Sequence, residues 1–420
     1  MNGHATFYLD KRYYIIENNR KRVWVFVYKG ITMKRQTIKV ISIFIILLVG
    51  AISISGCKQK EQMNNYMVNV TANQISVNPE CVTQNAGKVA DFSVRLFQQS
   101  LDSQSNTLVS PVSVMHALGM MANGADGDTL LQMEELFGVS VAEMNECMYA
   151  LKNTLPQSPR CKVEITNTIT LNEDGNLILE NDFLQTNADY YGSGICSTQL
   201  DEGTNMILNN ALSFDAEWEY IYYPNDVYER EFTKEDGTVQ TVPMMASDEY
   251  SFIEDDKATG FIKKYADNEY AFMALLPNEG INLDDYVAGL TGEHVINLYH
   301  NPQDILTFTR LPKFETVCDM EMSGVLKNMG MTDAWDMQTA DFSKIGNCDG
   351  NGLYISRATH KTKIVVDELG TRAQAETDIA AAAASEALEY REVYLNRPFV
   401  YLIMDCENGI PLFIGTVREI

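Results

Sequence analysis

The chain has 420 residues, 45% of them hydrophobic, and carries 57 Asp or Glu against 32 Lys or Arg, a formal charge of -25. So acidic a chain argues against nucleic-acid binding, which depends on a surplus of Lys and Arg. Eight cysteines without a CxxC, and five histidines (His4, His116, His294, His300, His360) without metal-ligand spacing, argue against a zinc site.

In chain order, residues 1–32 are rich in Tyr, Arg and Asn and read as an upstream extension, with Met33 as the expected start. Met33, Lys34, Arg35 and Lys39 then precede an apolar run from Val40 to Ser55. That run is short for a spanning helix and suits the core of a signal peptide. Ile54-Ser55-Gly56-Cys57 resembles a bacterial lipobox. Residues 33–56 therefore read as a lipoprotein signal peptide and Cys57 as a lipid-bearing mature N-terminus, with an uncleaved signal anchor as the alternative. Cleavage before Cys57 leaves 23 basic against 55 acidic residues, a charge of about -32 that has no attraction for anionic lipid. Membrane attachment then rests on the Cys57 acyl groups alone, at the cell envelope, in the outer membrane on its periplasmic or surface side, or with release outside the cell. Residues 57–80 read as a polar tether. Residues 81–420, undivided by any Pro-rich or Gly/Ser-rich stretch, read as one domain and a monomer. The seven cysteines beyond Cys57 are odd in number and irregular, so no disulfide framework is expected and most read as buried small hydrophobes.

Helical spacing of apolar residues predicts helices over Asn85–Leu101 and Pro111–Asn123, the second capped by Ser110, and over Leu130–Phe137, stopped at Gly138. Strand-type runs follow at Val163–Leu171, Ile207–Phe214, Tyr270–Leu276, Leu306–Leu311, Leu353–Arg357, Lys363–Val366, Val400–Met404 and Leu412–Val417, with short helices at Asp284–Leu290 and Leu326–Met329. Helices first and antiparallel strands later predict a mixed α+β domain. The segment Asp367–Pro398 has two natures. Thr371, Ala373, Ala375, Thr377 and Ile379 alternate with Arg372, Gln374, Glu376 and Asp378, the period of a strand with one buried face. From Ala380 to Arg391 an alanine and glutamate run favours helix instead, so a strand and a surface helix capped near Thr377 both remain open.

No enzyme site emerges. HExxH and GxSxG are absent, Gly192-Ser193-Gly194 being the nearest fragment of the latter, and Gly346–Gly352 reads as a turn more readily than as a cation loop. The chain reads as a non-enzyme with neither cofactor nor metal.

Eight separated groups carry a family likeness: Asn106–Ser113 with Ala117–Met120 and Asn123–Ala125; Asn210–Phe214 with Trp218; Val242–Met245; Leu275–Pro277; Leu311–Phe314; Leu326–Asp333; His360-Lys361 with Glu368–Ala375; and Arg397–Phe399 with Leu412–Gly415. In this order and spacing they resemble the serpin family over about Cys81–Ile420. The resemblance implies three β-sheets with about eight to nine helices and an exposed reactive-centre loop, here about 367–396, that enters a metastable central sheet as an extra strand. It implies a hinge at Glu368, Gly370, Thr371, Ala373, Ala375 and Thr377. It further implies a hydrogen-bonded shutter of Ser110, Ser113, Asn210 and His360, and Trp218 at the breach where insertion starts. The hinge departs from the family at Leu369, Arg372, Gln374 and Glu376, and Asp215-Ala216 replaces a lysine-glycine pair.

By resemblance, the protein is expected to inhibit a serine protease as a suicide substrate: the protease acylates itself on the loop, and the hinge inserts before deacylation finishes. Counting from the hinge gives Ala384-Ser385 as the reactive bond; counting back from Arg397-Pro398-Phe399 gives Ala387-Leu388. Either places alanine on the acyl side, which suits an elastase-like target, with a papain-like cysteine protease also open. The alternative is a non-inhibitory serpin-fold binding protein.

Overall fold

The computed structural model describes residues 63–155, 158–173, 177–192, 194–347, 352–371 and 389–420, and the backbone of three strands at Tyr13–Asn18, Lys21–Tyr28 and Ile31–Lys34. The chain forms two compact units, Met1–Glu61 and Gln62–Ile420. In the first, the three strands make an antiparallel meander.

The second unit holds eight α-helices among the described residues: α1 (Glu80–Ser100), α2 (Pro111–Ala122), α3 (Gly127–Phe137), α4 (Val141–Thr154), α5 (Asn181–Tyr190), α6 (Leu283–Ala288), α7 (Gly292–His300) and α8 (Ser323–Asn328). Their ends follow local chemistry. Pro111 opens α2, Gly138 closes α3 at φ +73°, and Ser140 and Glu143 form a reciprocal capping box at the start of α4. Ser110 sits at the N-cap of α2 but makes no side-chain cap bond. All twelve residues of α2 are buried, which makes it the central helix of the core.

Three sheets pack with these helices. The largest, sheet A, is built from β1 (Cys161–Asn172), β2 (Gly194–Thr198), β3 (Met206–Glu217), β4 (Phe314–Glu321), β5 (Ile355–Val366) and β6 (Gly370–Thr371), with Asn64–Asn65 on its far edge. Across the sheet the order is β4-β5-β3-β1-β2, and β6 pairs with β3. Alternate residues of β1 and β3 face the core, as their period-two patterns predict. A six-stranded sheet is centred on Tyr270–Pro277, Phe399–Asp405 and Pro411–Val417, buried along their whole length. A four-stranded sheet ends in β7 (Tyr390–Tyr394), parallel to Leu306–Pro312.

Three sequence expectations are revised. Leu353–Arg357 and Lys363–Val366 are not separate strands: the polar stretch between them continues β5, because its partners on both sides supply a full ladder. The expected tether is docked from residue 63 onward. Asn64 and Asn65 pair with β2, the Tyr66 hydroxyl meets Ser197 Oγ at 3.0 Å, and Asn73 donates to Asp189 on α5 at 2.7 Å. Finally, Cys81 on α1 and Cys147 on α4, 66 residues apart, form a disulfide, a pairing that only the fold brings together. Cys161, Cys196 and Cys318 are buried as expected, Cys406 is half-buried, and Cys57 and Cys348 lie outside the described residues.

Candidate functional site

Strands β3 and β5 run parallel and are zipped from Met206↔Ile355 up to Leu212↔Thr362, with no rung between them above that point. In the mouth so formed, β6 turns back antiparallel to β3, pairing Gly370 with Glu217 and Thr371 with Ala216. Gly370 has φ +143°, and a Cβ there would lie 2.2 Å from the Ala216 carbonyl oxygen, so only glycine fits this close approach. Thr371 is buried, its hydroxyl 2.9 Å from that of Tyr265.

The turn leading into β6 is tied to Trp218. The Trp218 backbone N–H donates to the Leu369 carbonyl and its indole N–H to the Asp367 carbonyl, both at 2.9 Å, while Tyr222 N–H donates to the Glu368 carbonyl at 2.8 Å. The indole stacks on Tyr265 at 4.4 Å. Glu368 accepts from Lys313 Nζ at 2.7 Å; burial is the largest influence and raises its pKa, but this bond, a backbone hydrogen bond and the Lys313 charge together outweigh it and hold the carboxyl below its usual range. Behind the ring lies buried Lys263, paired with Glu249 at 2.7 Å and 4.6 Å from the Tyr222 ring centre. Desolvation opposes its charge, yet Tyr222 and Glu249 overcome that and raise its pKa.

Lower in the sheet, one inward row crosses three strands: Asn167 on β1 stands opposite Asn210 on β3, which stands opposite His360 on β5. The Asn210 amide donates to Ser113 O at 2.6 Å, to Ser113 Oγ at 2.5 Å and to Asn167 Oδ1 at 2.5 Å, and its oxygen meets His360 Nδ1. Ser110 N–H donates to His360 Nε2 at 3.0 Å, which fixes the proton on Nδ1. Burial pulls the His360 pKa down to about 3, so the ring is neutral and one donor meets one acceptor. The row continues past the residues foreseen: Asn167 Nδ2 lies 2.7 Å from His116 Nδ1, and burial, then the Lys152 charge, holds His116 at about 3 as well.

All four expected shutter residues therefore meet, although Ser110 contributes its backbone and its hydroxyl finds no partner among the described residues. Glu368, Gly370, Thr371 and Trp218 meet at the mouth. Ala373, Ala375, Thr377, Ala384, Ser385, Ala387 and Leu388 lie outside the described residues. Asn167 and His116 were missed. Asn167 left a signal, because it is a polar residue on the apolar face of a strand that otherwise reads Val163, Ile169 and Leu171. No group of three metal-ligating side chains occurs among the described residues.

Comparison with known proteins agrees with this geometry. The family model described as serpin (serine protease inhibitor) matches residues 87–199 and 194–420. Bovine (Bos taurus) plasminogen activator inhibitor 1 is 27% identical over 376 residues, spanning 80% of this chain and 92% of its own, and human (Homo sapiens) serpin B13 is 26% identical, spanning 74% and 93%. The native-state crystal structure of the thermophilic serpin tengpin is 38% identical, with a TM-score of 0.80 over 86% of this chain and 100% of that one. Thyroxine-binding globulin in complex with thyroxine, 22% identical at a TM-score of 0.69 over 80% of this chain and 99% of its own, shares the fold. With a buried polar row under two strands that part above it, a short glycine-led strand in the gap, and the family model matched along most of its length, this chain belongs to the serpin family.

Proposed function

We propose that the protein is an irreversible suicide-substrate inhibitor of serine endopeptidases that accept a small residue at the scissile bond, elastase-like enzymes foremost and papain-like cysteine proteases second. The observation that carries this reading is the seating of Gly370 and Thr371 at the open end of the β3–β5 pair. A strand entering there replaces one parallel pairing with two antiparallel ones, and each ladder bond gained contributes about 0.5–1.5 kcal/mol. The alternation from Thr371 to Ile379 continues the facing set by Thr371, which is buried. Fourteen inserted residues span roughly 45 Å as strand, a displacement that catalytic groups of a tethered protease do not tolerate. Alanine on the acyl side of either reactive bond, Ala384-Ser385 or Ala387-Leu388, suits shallow pockets of elastase type.

The chain acts as a monomer, exported by residues 33–56 and held at the bacterial envelope through a lipid on Cys57; metabolic labelling with a radioactive fatty acid, lost in Cys57→Ser, tests this. The function itself is tested by incubating the protein with an elastase. A denaturant-resistant complex and a large rise in melting temperature of the cleaved protein are expected. Plain cleavage without complex or stabilisation, across elastase-, subtilisin- and papain-like enzymes, overturns the inhibitor reading in favour of a non-inhibitory serpin-fold binding protein.

A further inference from the structure

The chain enters the domain at a fixed place and in a fixed direction. Asn64 stands opposite Ser197 and Asn65 opposite Cys196, so this segment runs antiparallel to β2. Strand β2 is parallel to β1 with Ser197 level with Leu171, and Leu171 stands opposite Met206 at the start of β3. Asn64 therefore lies at the end of sheet A remote from the mouth, and the chain before it points away from the mouth. The mouth, at Glu217, is the other end of β3, about 36 Å along the strand.

Beyond Asn65 the segment is strapped to the domain. The Tyr66 hydroxyl meets Ser197 Oγ at 3.0 Å, Gln185 Nε2 donates to Thr71 O at 3.0 Å, and Asn73 donates to both oxygens of Asp189 at 2.7 and 2.9 Å. Met67 and Val70 pack against the core between these ties. Residues 58–62 alone separate Cys57 from the strap. Fully extended, Cys57 to Met63 spans at most about 22 Å, whereas a tether free as far as Glu80 would span about 80 Å.

Reach decides which way an anchored domain can face. To turn the mouth toward the bilayer, the chain would have to run past the mouth back to Asn64, at least about 36 Å against the roughly 22 Å available. A free tether of about 80 Å would allow it. Lying flat is opposed by charge, because the chain from Cys57 onward carries about -32 and anionic lipid repels it.

We propose that the strap from Asn64 to Asn73 sets the orientation of the protein on its membrane, with the Met206 end of sheet A toward the bilayer and the mouth and reactive loop outward. This rests on the lipid at Cys57 proposed above and adds a facing to it. The partner so served is a protease that diffuses in the aqueous phase; one whose active site lies at the surface of the same bilayer does not meet the loop.

The test uses the lipidated full chain in liposomes of phosphatidylcholine and phosphatidylglycerol that carry an acceptor dye on a lipid headgroup. A donor dye is attached through Glu202→azidophenylalanine, at the Met206 end, or Tyr220→azidophenylalanine, beside the mouth; both positions are exposed. With a dye pair whose transfer range is shorter than the pole-to-mouth span, transfer should be strong at position 202 and lost at position 220. It should appear at position 220 when a Gly/Ser linker of about 15 residues is inserted between Gln62 and Met63, a change outside the folded domain. The same gain is expected in Asn65→Pro/Tyr66→Phe/Asn73→Ala, which breaks the edge pairing and two of the ties. Equal transfer at the two positions of the unmodified protein overturns the orientation. Transfer that stays absent at position 220 in the linker form overturns the strap as its cause. A full chain that fails to float with the liposomes overturns the lipid at Cys57 and the orientation with it.

Discussion

His360→Ala separates the two states of sheet A that the proposed inhibitor mechanism requires. In the uncut protein the imidazole satisfies Ser110 N–H through Nε2 and Asn210 Oδ1 through Nδ1, and all three groups are buried. Its removal orphans one donor and one acceptor, each costing about 1–3 kcal/mol, so the uncut protein should lose about 2–6 kcal/mol before any cavity term. Insertion changes the account. If the β6 register of Gly370 and Thr371 were continued on the proposed insertion, position 377 would stand opposite Asn210, so a strand would lie between Asn210 and His360 and their bond would be gone with or without the mutation. Only the Ser110 orphan then remains, and the cleaved protein should lose about 1–3 kcal/mol. Denaturant unfolding of both forms measures the difference, and the uncut variant should also lose inhibitory capacity faster on storage, since its barrier to parting β3 from β5 is lower. Equal losses in the two forms would refute the claim that this bond belongs to the uninserted state.

Thr371→Arg places a charge in a buried site against Tyr265, so the protein should become a plain substrate: cleaved at an unchanged rate, without complex or thermal gain. Lys313→Ala breaks a pair with Glu368 in which both partners are about one-third exposed, so the stability loss should stay under about 1 kcal/mol while uncut protein inserts its loop faster. Reducing the Cys81–Cys147 bond, or replacing both cysteines by serine, frees α1 from α4 and should cost about 2–4 kcal/mol; an unchanged denaturation midpoint in reductant would show that the bond does not form. Acid should weaken the fold before carboxylates titrate. His116 and His360 are held at about 3 by burial, below the ordinary 6.5, so the unfolded chain takes up protons that the native one refuses. Their contribution is complete above pH 6.5 and falls as pH drops toward 3, by up to about 1.4 kcal/mol per pH unit for each ring. Between pH 6.5 and about 4.5 the slope should be roughly halved in His360→Ala.

Much of sheet A was legible because its inward positions alternate: Val163, Ile169 and Leu171 on β1, and Leu208, Leu212 and Phe214 on β3, are apolar where they face the core. What escaped depends on contacts between distant residues. The strand Val227–Thr233 has one buried residue, so it lacks an alternation and exists because Val239–Glu249 pairs along it. Helix α4 mixes Asn, Glu and Met without a clean stripe, and the readable sign was its capping box at Ser140 and Glu143. Sequence placed Ser110, Ser113, Asn210 and His360 in one cluster by family likeness, but nothing local ties Asn167 to His116 across 51 residues; the packing of α2 against β1 does so, while the β1–β3 register sets Asn167 opposite Asn210.

That register also explains why the polar row lies where it does. An apolar layer under β3 and β5 would be cheaper to bury, since every amide and imidazole there must find a partner. Apolar contact, however, is non-directional and would hold the strands equally well at any separation that excluded water. The Asn210–His360 bond is directional: it exists when the two strands are neighbours and is abolished by one intervening strand. A single rung of this kind, backed by Ser113 and Asn167 on one side and Ser110 on the other, makes the closed seam a discrete state with its own barrier. Above the rung the seam is already open at Thr371, and below it the strands stay paired down to Met206 and Ile355. On the proposed mechanism the row thus stands between a short strand seated at the mouth and a seam still paired below, the position from which one hydrogen-bonded cluster would decide whether insertion waits for a protease.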